Sequence, residues 1–130
     1  MEQISFRSSK TVTAAGLLGA LAVIAGAFGA HALRESFTPR DLEIFETAVR
    51  YHLSHSIVLL VVGAGVLPLS DRIRHLAGMF FGLGILVFSG SLYLLVFTEI
   101  RKWGMVTPVG GLMLILGWLT VAAGGMRPKK

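Results

Sequence analysis

The stretch that decides the fold is Leu76–Phe97, LAGMFFGLGILVFSGSLYLLVF, which contains no Asp, Glu, Lys or Arg. Crossing the hydrocarbon of a bilayer takes roughly 20 predominantly apolar residues in a helix. This segment satisfies that requirement unaided. Working outward, three further blocks free of those four residue types appear: Val12–Leu33, Ile57–Leu69 and Met105–Gly125. The second is short, and reaches spanning length when the helix begins near Tyr51, so that His52 and His55 lie inside it. The spans read from the sequence are therefore 12–32, 51–68, 76–97 and 107–125.

Composition agrees with this class. The 130 residues are 54% hydrophobic and 15% charged, against about 25% charged for an ordinary soluble domain. The net charge of +5 is spread over short connections and tails rather than gathered on a basic face, which argues against nucleic-acid binding. Without cysteine there is no disulfide framework, thiolate metal site or cysteine nucleophile. The first apolar block follows Arg7 and Lys10, and Ala25-Gly26-Ala27 has the look of a cleavage site. It is longer than the roughly 7–15 residues of a signal-peptide core, so the expectation is an uncleaved first helix.

Short connections make successive helices antiparallel neighbours, which predicts one domain: an all-α, up-down bundle of four transmembrane helices. Thr38-Pro39 reads as a helix start, with a hydroxyl cap followed by proline at the first helical position. From there Glu43, Glu46 and Arg50 share one side and Ile44, Phe45, Ala48 and Val49 the other. Helix two is thus expected to be extended by an amphipathic N-terminal segment, with Glu46 and Arg50 placed to pair. Thr107-Pro108 repeats the start signal ahead of the last helix. The charges Asp71, Arg72, Arg74 and His75 read as loop residues.

Helix one divides by side-chain size. Ala15, Gly19, Ala22, Gly26 and Ala30 form one stripe, and Leu17, Leu21, Ile24 and Phe28 the opposite one. Small residues let membrane helices approach closely, so the small stripe should face the bundle. The same argument assigns packing roles to Gly78 and Gly82 in helix three and to Gly110 and Gly117 in helix four. Lys and Arg number seven on the side holding both termini and the second loop, against five in the first and third loops. This places both termini in the cytoplasm.

Polar residues gather toward one face of the membrane: His31, His52, His55, Ser89, Tyr93 and Thr107. His52 and His55, three apart on one helical face, can share a metal, relay a proton or hydrogen-bond to neighbouring groups. His31 stands as a third nitrogen, although an ideal helix sets it at the edge of the lipid stripe. Ser89 and Tyr93, four apart, serve either as interhelical glue or as ligand contacts. Ser91 points elsewhere, able to bond back along its own helix, and Trp118 packs. No nucleophile–base motif stands out, and no acidic or basic side chain lies deep in a span, which counts against a pump.

Four segments carry a resemblance: Gly26-Ala-Phe-Gly-Ala-His-Ala-Leu33, Ala48-Val-Arg-Tyr-His-Leu-Ser-His55, Phe88-Ser-Gly-Ser-Leu-Tyr93, and Thr107-Pro-Val-Gly-Gly111 followed by Gly117-Trp118. In this the chain resembles the domain of unknown function 423 family of YgdD- and YwdK-like small membrane proteins, which includes relatives of human transmembrane protein 256. The resemblance implies a multi-span protein of the bacterial inner membrane and brings no substrate, reaction or catalytic residue. The expectation is a non-enzymatic structural, assembly or interaction component, with no cofactor and no bound metal. Its partners would be membrane lipid and a second copy or another membrane protein. Two alternatives stand beside it, a small oligomeric carrier or channel and a haem- or metal-binding protein.

Overall fold

The computed structural model describes residues 9–126. Arg7 and the basic residues after Met126, used above to orient the chain, lie outside them. All regular structure among the described residues is helical, in four rods. The first, α1, runs Lys10–Leu33, with Ala25–Gly29 wound as π-helix between two α-helical parts. Next come α2 (Pro39–Gly63), α3 (Asp71–Thr98) and α4 (Thr107–Gly125), the last preceded by a 3₁₀ segment, Arg101–Met105.

The helix ends follow from local chemistry. Ser9, Thr38 and Ser70 each accept a hydrogen bond from a backbone N–H of the turn that follows, at Val12, Asp41 and Ile73. Asp41 and Asp71 add negative charge to the positive end of the dipole. The cap at Ser70 starts α3 five residues earlier than the apolar block, so Asp71–His75 form its first turn rather than a loop. Helix α2 is continuous from Pro39 and stops at Gly63, short of the 68 read from the sequence, where Gly65 turns the chain with φ of 72°. Thr107 does not cap α4. Val106 precedes it in helical conformation, so the 3₁₀ turn feeds straight into the helix, and the Thr107 hydroxyl is free to turn toward α3.

Neighbours in sequence pack antiparallel: α1 on α2, α2 on α3, and α3 on α4, while α1 touches α3 only slightly. The backbones of α1 and α2 stay away from α4, so the helices form an open row more than a closed four-cornered bundle. The division of α1 by size is visible in its burial. Ala15 and Ala22 are buried, whereas Leu17, Leu21, Ile24 and Phe28 lie exposed. Interior packing centres on Phe81, Ile85, Leu59 and Val62. The outer surface is densely apolar, with Leu86, Leu112, Ile115 and Leu119 among many large exposed side chains. A surface of that kind is stable against hydrocarbon and a liability in water.

Three helices, Lys10–Leu33, Asp71–Thr98 and Arg101–Gly125, are long and apolar enough to cross a membrane. The first half of α2 is too charged to count among them, and Glu43, Glu46 and Arg50 on it are exposed. The expected pairing of Glu46 with Arg50 does not form. Among the described residues the ion pair present is Arg74 with Asp71, at 2.6 Å on the first turn of α3.

The glycines show where helices meet most closely. A Cβ on Gly110 would collide with the backbone of Phe88, standing 2.6 Å from its Cα, and one on Gly117 would strike the Phe81 ring at 2.8 Å. Gly26 abuts Val49 (3.0 Å), while Gly19 and Gly78 have ordinary contacts. Gly82 differs from the reading given above: a Cβ there meets nothing within 4 Å. The tight glycine on α3 is Gly84, pressed on Leu114 of α4 at 2.6 Å.

Candidate functional site

The six polar residues picked from the sequence fall into separate places, because α3 has a seam on each side. On the α2–α3 seam, His52 and Ser89 are buried. His52 Nδ1 lies 3.0 Å from the Tyr93 hydroxyl, and the Ser89 hydroxyl donates to the Ala48 carbonyl at 2.8 Å. The remaining nitrogen of His52, Nε2, is buried with no hydrogen-bond partner. It lies on the side of the ring toward the backbone of Leu18 in α1, without completing a bond to it. A phenol can donate or accept, so the Tyr93 contact is compatible with either imidazole tautomer.

His55 is differently placed. Its Nδ1 lies 2.9 Å from the Tyr51 carbonyl one turn earlier, and its Nε2 accepts from the indole N–H of Trp118 at 3.2 Å. A carbonyl only accepts and an indole N–H only donates, which fixes the proton on Nδ1 of a neutral ring. The ring also sits near Phe81, whose centroid is 6.0 Å away, and Phe81 in turn meets Trp118 edge-on at 5.5 Å. In this way α2 reaches α4 through side chains across α3, although their backbones never approach. Both nitrogens of His55 are engaged, so a metal shared with His52 would require the indole to be displaced.

Thr107 belongs to the other seam. Its hydroxyl is 2.7 Å from that of Ser91, and the Ser91 hydroxyl also donates to the Phe88 carbonyl at 2.9 Å. Ser91 is buried, so its role between helices is larger than back-bonding along α3. His31 is exposed on α1 and joins neither seam. Among the described residues no three His, Asp or Glu side chains stand together as a metal site would need.

Between α1 and α3, floored by Phe45 and His52 of α2, runs a cleft of about 700 Å³. Its walls carry Ile24, Phe28, Ser89 and Tyr93, and no Asp, Glu, Lys or Arg lines it. The π-wound Ala25–Gly29 forms part of the α1 wall, and Phe45 packs so tightly under Gly29 that a Cβ there would lie 2.6 Å from its ring. Phe37, Phe45, Tyr93 and Phe97 cluster at one end, with neighbouring centroids 5.5–6.4 Å apart.

Most of these residues, though not Trp118 or Ile24, lie within a segment shared with known proteins. Residues 25–111 match the family described as "Protein of unknown function (DUF423)". The chain belongs to this family. A UPF0382 membrane protein of Staphylococcus aureus is 41% identical over 107 residues, covering 79% of this chain and 87% of that one. The UPF0382 membrane protein YwdK of Bacillus subtilis is 37% identical, with 82% and 88% covered. The UPF0382 inner membrane protein YgdD of Escherichia coli is 32% identical, with 89% and 88% covered. No solved structure matches the chain. With its apolar helices and these relatives, the chain is an integral membrane protein of a family without an assigned function.

The sequence reading passed over Gly84 and gave Trp118 a packing role alone, without its hydrogen bond to His55. A signal for Trp118 existed, since an indole N–H far from water needs an acceptor, and His55 is the imidazole at matching depth. Replacing Trp118 by Phe keeps the ring and removes the donor. The expected result is a loss of about 1 kcal/mol, measured by reversible unfolding in mixed micelles.

Proposed function

We propose that this DUF423 member is a single-domain, four-span component of the bacterial inner membrane that acts through packing and association and carries out no reaction of its own. Helix α2 is the fourth span. Its 25 residues extend about 37 Å at 1.5 Å per residue, enough to cross once its charged first half emerges at the interface. Both termini face the cytoplasm, as the excess of Lys and Arg on that side favours.

The observation carrying this reading is the use made of the buried polar side chains. Ser89, Ser91, Thr107, Tyr93 and His55 each join one helix to another. The row of helices leaves long faces of α1 and α4 apolar and uncovered, and those faces supply area for a second membrane-embedded chain. A carrier or channel would need a file of polar groups across the membrane, whereas these lie in separate seams. A haem or metal reading rests on His31, His52 and His55, which point to different surroundings.

Because the chain has no cysteine, single cysteines report topology cleanly. Ser36→Cys and Lys102→Cys are expected to react with a membrane-impermeant maleimide from the periplasmic side. Arg72→Cys should react only after the inner membrane is opened; labelling of all three from one side contradicts the four-span reading. For the associative role, the full chain in mild detergent and in lipid nanodiscs is expected to migrate well above its 13.9 kDa once the carrier is subtracted. A strict monomer under both conditions contradicts it.

A further inference from the structure

We propose that the cleft between α1 and α3 binds a neutral long-chain lipid bearing a hydroxyl head, with the hydroxyl hydrogen-bonded to His52 Nε2 and the chain lying along α1. Two independent features point to a ligand there. The first is the cleft itself, whose volume of about 700 Å³ falls within the roughly 300–1,000 Å³ usual for small-molecule sites. The second is His52, only 5% exposed, whose ring lines the cleft floor and whose buried Nε2, turned toward the Leu18 backbone, completes no hydrogen bond. Unpaired polar atoms in an apolar interior are costly and uncommon, and each calls for an explanation.

The chemistry of the occupant follows from the lining. With no charged side chain on the walls, neither a phosphate nor an ammonium head would find a counter-charge, and burying one unpaired is unfavourable. A hydroxyl both donates and accepts, so it suits His52 in either tautomer. The walls are otherwise apolar side chains that also face the surrounding membrane, among them Leu21, Ile24, Phe28 and Leu86. That suits an alkyl chain arriving sideways from the bilayer.

Entry is possible because α1 is held mainly from one side. It packs on α2 and scarcely touches α3, so a small outward movement of α1 gives a head group access to the buried nitrogen. The π-wound turn lies in this same wall. Such insertions occur mostly as single turns inside α-helices, frequently at functional sites.

The test uses the full chain in phosphatidylcholine nanodiscs and two photoreactive probes of equal length, a diazirine-bearing long-chain alcohol and the matching alkane. Saturable labelling by the alcohol is expected on the Ala25–Gly29 turn and near Tyr93. It should exceed the alkane by about fivefold, the equivalent of roughly 1 kcal/mol for one hydrogen bond in a membrane. His52→Phe keeps a ring and should erase the preference for the alcohol. Gly90→Leu fills the cleft from a position where a Cβ meets nothing within 4 Å; it should abolish labelling by both probes while leaving the melting temperature unchanged or higher. Equal labelling by alcohol and alkane in the parent chain overturns the assignment of His52. Labelling spread over Leu17 and other outer residues, and undiminished by Gly90→Leu, overturns the cleft as a site.

Discussion

Replacing Gly110 by Leu is expected to leave no stably folded protein, and Gly110→Ala to cost about 3 kcal/mol, at the upper end of what overpacking usually exacts. The reason is the kind of atom in the way. At Gly117 the obstacle is an aromatic ring, and at Gly84 mainly a leucine side chain, but at Gly110 it is the main chain of Phe88 itself. A backbone inside a helix cannot rotate aside, so α3 and α4 must separate along the most extensive contact in the molecule. In lipid that separation is hard to offset, because association depends on close packing rather than on exclusion of water. Gly82→Ala is the internal contrast. With open space at the Cβ position, it should be neutral or stabilising by up to about 1 kcal/mol through helix propensity. Unfolding in mixed micelles followed by circular dichroism compares the two directly.

The same contrast shows how far the sequence could be read. Uninterrupted apolar blocks revealed the helices, and the small and large stripes of α1 revealed which face turns inward. Thr38-Pro39 gave the start of α2 to the residue. The spacing of Gly78 and Gly82 identifies a small-residue face, but α3 packs on two neighbours, and a single stripe cannot describe two seams. Gly84 lies on the seam toward α4, outside the four-residue pattern. A related point holds for the polar residues: the sequence places them toward one end of the membrane, and direction around each helix then parts Thr107 and Ser91 from His52 and Tyr93. His31, which an ideal helix sets at the edge of the lipid stripe, is exposed on α1.

His52→Ala is expected to have the next largest effect, a loss of about 2–3 kcal/mol. It empties a buried site, and cavities in well-packed interiors cost on this scale. It also leaves the Tyr93 hydroxyl without the partner it has at 3.0 Å. His31→Ala should change stability by less than about 0.5 kcal/mol, as is usual for exposed positions. A metal site built from His31 and His52 predicts the opposite pattern in the presence of added metal, with both substitutions lowering the melting temperature together. The cleft makes a further distinction. If a bound lipid supports His52, stripping lipid with detergent should narrow the difference between the parent chain and His52→Ala.

His52 joins α2 to α3 through Tyr93, rather than sitting near it by accident of packing. A double-mutant cycle tests this, using His52→Ala, Tyr93→Phe and the combined variant in reversible unfolding of the full chain in micelles. A coupling of about 1 kcal/mol, of the size measured for interhelical hydrogen bonds in membranes, is the predicted result. Strictly additive losses from the two substitutions would contradict it.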